Sequence, residues 1–122
     1  CALEVGKRGG EFELTLNRCT DAEQGGKETV ESLGRLQPTR TYKAGLHDNM
    51  ELDLMMRLEV GKGALCRFSY SADGGKHWTR CGAPFKARAG KWIGAKAGFF
   101  SIMPDGVNDR GWIDVRETVI TQ

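Results

Sequence analysis

The chain has 122 residues, with 18 Lys or Arg against 16 Asp or Glu, for a formal net charge of +2. That length is one domain or part of one. The charges are spread without a basic block, so the electrostatic footprint of a nucleic-acid binder is missing. No apolar run approaches the roughly 18 residues that a membrane-spanning helix needs.

Seventeen glycines against three prolines point to many tight turns between strands rather than long helices. The four cysteines, Cys1, Cys19, Cys66 and Cys81, form no CxxC pair and no zinc spacing. A chain that begins with Cys1 reads as a mature bacterial lipoprotein or as a fragment of a longer polypeptide. The fragment is the preferred reading, with a bacterial extracellular or periplasmic site as the expected compartment.

In chain order, residues 3–5 and 11–16 are expected as strands joined by a turn over 6–10. Phe12, Leu14 and Leu16 share one face, and Glu11, Glu13 and Thr15 share the other. Residues 21–27 read as a loop and 29–36 as a short strand. Residues 37–49 contain Pro38, Gly45 and many polar residues, which reads as a long loop or insertion. The alternation over 51–60 sorts Leu52, Leu54, Met56, Leu58 and Val60 from Glu51, Asp53, Arg57 and Glu59, as a strand does and a helix does not.

Gly61-Lys62-Gly63 turns the chain into a strand over 65–71, and Asp73-Gly74-Gly75 turns it again into Thr79-Arg80-Cys81. With that turn centred on Gly74-Gly75, Cys81 lies opposite Phe68 on the face of Cys66. Two buried thiols are the preferred reading, with a disulfide as the alternative. Further strands are expected over 92–103 and 112–120. In the last one Ile113, Val115 and Val119 face inward, and Trp112, Asp114, Arg116 and Thr118 face outward. Seven or eight short strands with one apolar face predict an all-β fold: an antiparallel two-sheet sandwich or jelly roll in a single domain over 1–122.

The hairpin carries a motif. Ser71-Ala72-Asp73-Gly74-Gly75-Lys76-His77-Trp78 matches Ser-x-Asp-x-Gly-x-x-Trp, an Asp-box, a pattern found mainly in proteins that handle sugars. A propeller repeats such blades every 40 to 50 residues or so, and a single copy cannot close one, which argues against a sialidase. An Asp at this place in a hairpin bonds the backbone of its own turn, so Asp73 and Trp78 are expected to be structural. His47 and His77 stand alone in the sequence and suggest neither catalysis nor a metal.

Residues 54–121 carry a wider resemblance. The order is Arg57-Leu58-Glu59-Val60, Cys66-Arg67-Phe68-Ser69-Tyr70-Ser71 with the Asp-Gly turn, and Gly82-Ala83-Pro84-Phe85. Then come Gly90-Lys91-Trp92-Ile93-Gly94-Ala95-Lys96-Ala97-Gly98-Phe99-Phe100 and Arg110-Gly111-Trp112-Ile113-Asp114. This resembles the C-terminal β-sandwich of family 43 glycoside hydrolases, the β-xylosidases and α-arabinofuranosidases. The resemblance implies a concanavalin A-like sandwich, incomplete here at its N-terminus, whose catalytic acids lie in a separate propeller. At the closing run Asp114 matches the family, while Arg116, Glu117 and Thr118 replace an acid, a Trp and a Phe.

The function expected from this is that of a non-catalytic accessory module of a xylan- or arabinan-degrading enzyme. It would bind polysaccharide or support the catalytic domain or a partner chain. A stand-alone lectin-like protein and a glycosidase in its own right are the alternatives. Aromatic faces stack on pyranose rings while acids and arginines bond the hydroxyls, which selects Trp112, Asp114, Arg116, Arg67 and Trp92 as the carbohydrate-binding candidates. No catalytic pair is selected by the spacing of the acids. Asp105, Asn108 and Asp109 offer oxygen ligands for Ca²⁺ outside the EF-hand pattern, and no other cofactor is expected.

Overall fold

Leu14 and Leu16 sit at the centre of the longest clean alternation, and both are 1% exposed. They belong to β2 (Glu11–Cys19), the middle strand of an antiparallel sheet between β1 (Ala2–Arg8) and β3 (Glu28–Leu36). The computed structural model describes residues 1–8, 10–88, 96–102 and 112–121. The chain divides into two compact units, Cys1–Arg88 and Ala89–Gln122.

The first unit is all-β and antiparallel. In its first sheet Leu3 pairs with Leu16 and Val5 with Leu14, so the apolar rows of β1 and β2 share one face. Between β2 and β3 the register passes from Leu14↔Gly34 to Thr15↔Ser32, which leaves Leu33 as the extra residue of a bulge. Leu33 packs against the core.

Residues 37–49, expected as a loop, instead contain most of a hairpin: β4 (Arg40–Ala44) pairs with β5 (His47–Glu51). Ala44 pairs with His47, so the turn is Gly45-Leu46, with Gly45 at φ 64°. The hairpin is polar and shows no alternation; it is held by backbone pairing and by charges. Arg40 bonds Glu51 at 3.1 Å and Asp53 at 3.5 Å, and Thr39 Oγ1 accepts the Asp53 N–H at 2.8 Å.

The strand expected over 51–60 starts later, as β6 (Met55–Gly61). Leu52 and Leu54 lie ahead of it and pack against the core instead. A 3-10 turn at Lys62–Ala64 leads into β7 (Leu65–Ser71), and β8 (Thr79–Lys86) completes a second three-stranded sheet in the order β6-β7-β8. The register is the expected one: Phe68 lies opposite Cys81. Cys66 and Cys81 are buried free thiols. Phe68 stacks on Phe85 with ring centroids 5.5 Å apart.

The two three-stranded sheets share one core, as in a sandwich. Leu14, Leu36 and Cys81 form its centre, with Leu3, Phe12, Phe68 and Tyr70 packed around them. The sheets approach most closely between β3 and β8. Gly82, at φ 58°, has no room for a side chain: a Cβ there would lie 2.7 Å from Leu16 Cδ2 and 2.9 Å from Arg18 Nη2. Next to it Arg18 Nη2 donates to the Ala83 carbonyl at 2.5 Å.

The second unit differs from expectation. Residues 96–102 and 112–121 contain no strand, and all of them are exposed. Ile113, Val115 and Val119, expected to face inward, are open to solvent. Alternation is a local property, whereas a strand also needs a hydrogen-bonded neighbour, and no such neighbour is found among the described residues. Glu117, which alternation placed on the inward face, is exposed and needs no buried partner.

Candidate functional site

The Asp-box is a self-bonded loop over residues 72–78, between β7 and β8. Its two glycines take the left-handed conformations the turn requires, Gly74 at φ 73° and Gly75 at φ 89°. Ser71 is buried at the end of β7. Its hydroxyl donates to Asp73 Oδ1 at 2.7 Å and accepts the Gly75 N–H at 2.9 Å. Asp73 Oδ1 also accepts the His77 N–H at 3.0 Å, and Oδ2 lies 2.6 Å from His77 Nδ1. An ionised carboxylate can only accept, so Nδ1 carries that proton.

His77 therefore does not stand alone; it closes the turn. The backbone N–H of His77, then the Ser71 hydroxyl, then the His77 ring hold the Asp73 carboxyl well below the usual carboxylate range. Trp78 Nε1 donates to the Gly75 carbonyl at 3.0 Å, so the indole lies against the turn it follows. The Arg57 guanidinium sits 3.7 Å from the centre of the Trp78 ring. That cation–π contact ties β6 to the loop. The contact follows from register: Met55 pairs with Ser71, so the start of β6 lies beside the start of the loop. Every polar atom of the motif named here is turned on the motif itself, the arrangement that a structural role for Asp73 and Trp78 requires, and Ser71 joins them in it.

Arg67 lies exposed on β7, opposite Glu59 of β6. With Glu59, Val60, Gly61, Lys62 and Leu65 it lines an open groove at the turn end of the β6–β7 hairpin. No linear pattern marks this groove, which depends on the cross-strand register.

The second unit holds Trp112, Asp114 and Arg116. Trp112 is 65% exposed. Arg116 Nε lies 3.6 Å from Asp114 Oδ2, so the acid and the guanidinium form an exposed pair two residues beyond the indole. Three of the five carbohydrate-binding candidates fall within five residues of sequence, and two of them, Asp114 and Arg116, are in contact, while Arg67 belongs to the other unit. Trp92 lies outside the described residues, as do the calcium candidates Asp105, Asn108 and Asp109. Among the described residues no cluster of three or more His, Cys, Asp or Glu is placed to hold a metal ion.

Comparison of the chain with protein-family models, with curated proteins and with solved structures finds no match.

Proposed function

We propose that this chain is a non-catalytic β-sandwich module of a plant-polysaccharide-degrading glycoside hydrolase, and that it holds xylan or arabinan. The observation that carries the reading is the exposed Trp112 indole followed by the Asp114–Arg116 pair. A flat apolar ring suits the apolar face of a pyranose. The adjacent acid and guanidinium offer charge-assisted hydrogen bonds to hydroxyls, with acceptor and donor side by side.

The Asp-box then acts as scaffold. It closes the β7–β8 hairpin and leaves sugar contact to other residues. The concanavalin A-like identity of the sandwich, and its attachment to a β-xylosidase or α-arabinofuranosidase propeller, belong to the same proposal and rest on the motif order over 54–121.

A second reading has its own support. Phe99, Ile102, Ile113 and Ile120 are exposed apolar side chains in the same unit, and contiguous exposed apolar surface commonly marks a protein interface. On that reading the module braces a catalytic domain.

Affinity electrophoresis separates the two. The binding reading predicts retardation of the chain in gels containing xylan or arabinan and none in a control glucan. Unretarded migration in all three would remove carbohydrate binding and leave docking. Hydrolysis of aryl xylosides or arabinofuranosides by the purified chain would overturn the non-catalytic reading.

A further inference from the structure

Four strands form the outer edges of the two three-stranded sheets, and three of them discourage further pairing. β8 carries Pro84, which lacks an N–H. β3 holds the bulge at Leu33 and the left-handed Gly34. β1 carries the exposed Lys7 near its end. The fourth, β6, has neither a proline nor a bulge, and its two charges, Arg57 and Glu59, are of opposite sign. Its register with β7 runs unbroken from Met55↔Ser71 to Gly61↔Leu65, and among the described residues β7 is its one strand neighbour.

β6 is also apolar where an edge should be guarded. Met56, Leu58 and Val60 pair with Tyr70, Phe68 and Cys66, so they share the core-side face. Met56 is nevertheless 42% exposed and Val60 66% exposed. The two sheets meet most closely at β3 and β8, so β6 lies on the far side of its sheet from that contact.

We propose that β6 pairs with β6 of a second copy of this chain, antiparallel about a two-fold axis at Leu58, with Arg57 of each copy opposite Glu59 of the other. The sequence of the strand selects this occupant and this register. In a two-fold antiparallel pair each residue must meet one an even number of positions away, because side chains alternate between faces. Centring on Leu58 sets Met56 against Val60 and Arg57 against Glu59, twice each. Centring on Arg57 or Glu59 sets like charges against each other, which destabilises a cross-strand pair.

The favoured register also extends rows that already exist. Glu59 pairs with Arg67 within the chain, so the second copy's Arg57 would give it an arginine on both sides. On the core-side face Phe68, Leu58 and their symmetry mates would form one apolar row. The result is a continuous six-stranded sheet with an isologous interface.

Sedimentation equilibrium and light scattering of the full chain, from micromolar to near-millimolar concentration, test this. A reversible dimer is expected. Glu59→Arg should weaken it by about tenfold or more, because both symmetric pairs turn repulsive. Adding Arg57→Glu should restore the affinity to within about threefold, since the swapped charges again face each other. Glu59→Gln, which removes attraction without adding repulsion, should fall between wild type and Glu59→Arg. Circular dichroism checks folding, and the double variant is read well below its melting temperature because it loses the Arg57–Trp78 stack. A monomer at every concentration would overturn the proposal and leave the edge to a strand from another protein. So would a dimer indifferent to Glu59→Arg, or a double variant as weak as the single one.

Discussion

Replacing Gly82 by Ala tests the packing of the two sheets at its tightest point. Gly82 has φ 58°, a left-handed conformation that costs an L-residue about 1 kcal/mol. The added Cβ would lie 2.7 Å from Leu16 Cδ2, 2.9 Å from Arg18 Nη2 and 3.0 Å from Glu31 Oε2. The ends of Arg18 and Glu31 can swing away, although moving Arg18 strains its bond to the Ala83 carbonyl. Leu16 is buried and has nowhere to go, and overpacking of this kind costs about 1–3 kcal/mol. Together the two effects come to about 2–4 kcal/mol.

In a unit of this size each kcal/mol moves the melting temperature by about 4–8 °C. Scanning calorimetry should therefore show a fall of at least about 8 °C for Gly82→Ala. Gly6→Ala is the control: its Cβ would enter open space at an ordinary φ, so its effect should stay within about 1 kcal/mol. A Gly82→Ala variant melting within about 2 °C of wild type would refute the close approach of β8 to the first sheet.

Three further predictions concern the hairpin and the thiols. Ser71→Ala removes a buried hydroxyl that accepts the Gly75 N–H and donates to Asp73, and urea unfolding should show a loss of about 1–3 kcal/mol. Asp73→Ala should act in a pH-dependent way. The folded carboxyl titrates below its unfolded value of about 3.9, so its stabilisation is complete above that value and is lost as pH falls towards the folded one. The gap in urea midpoint between wild type and variant should be constant near neutrality and shrink below about pH 4; a gap that widens in acid would contradict the turn's hydrogen bonding. Ellman's reagent should label Cys1 and Cys19 in the native chain and all four thiols in denaturant, because burial shields Cys66 and pushes the Cys81 thiol up.

Local signals carried much of this fold. Leu14 and Leu16 lie in a clean alternation, and the pairing of Phe68 with Cys81 followed from counting outward from Gly74-Gly75. The Asp-box was legible for the same reason: its donors and acceptors all lie between Ser71 and Trp78. The hairpin of Arg40–Ala44 and His47–Glu51 was missed because both strands are polar and largely exposed, so no face is sorted. The strands expected over 92–103 and 112–120 gave the opposite error at their described residues, 96–102 and 112–120. The alternation of Ile113, Val115 and Val119 is present in the second, but pairing is a non-local event that periodicity does not record.

The candidate site divides in the same way. Trp112, Asp114 and Arg116 are close in sequence, and the acid and guanidinium are paired. The stack of Arg57 on Trp78 and the groove around Arg67 depend on register and left no mark in the linear pattern.

The most direct test of the carbohydrate-binding proposal is the retardation of Trp112→Ala in a xylan or arabinan gel, measured beside its melting temperature. An exposed indole that stacks on sugar contributes about 2 kcal/mol or more, so the variant should bind at least about thirtyfold more weakly and melt with wild type. A variant that binds as wild type does, or that loses binding only because it unfolds, would contradict the account.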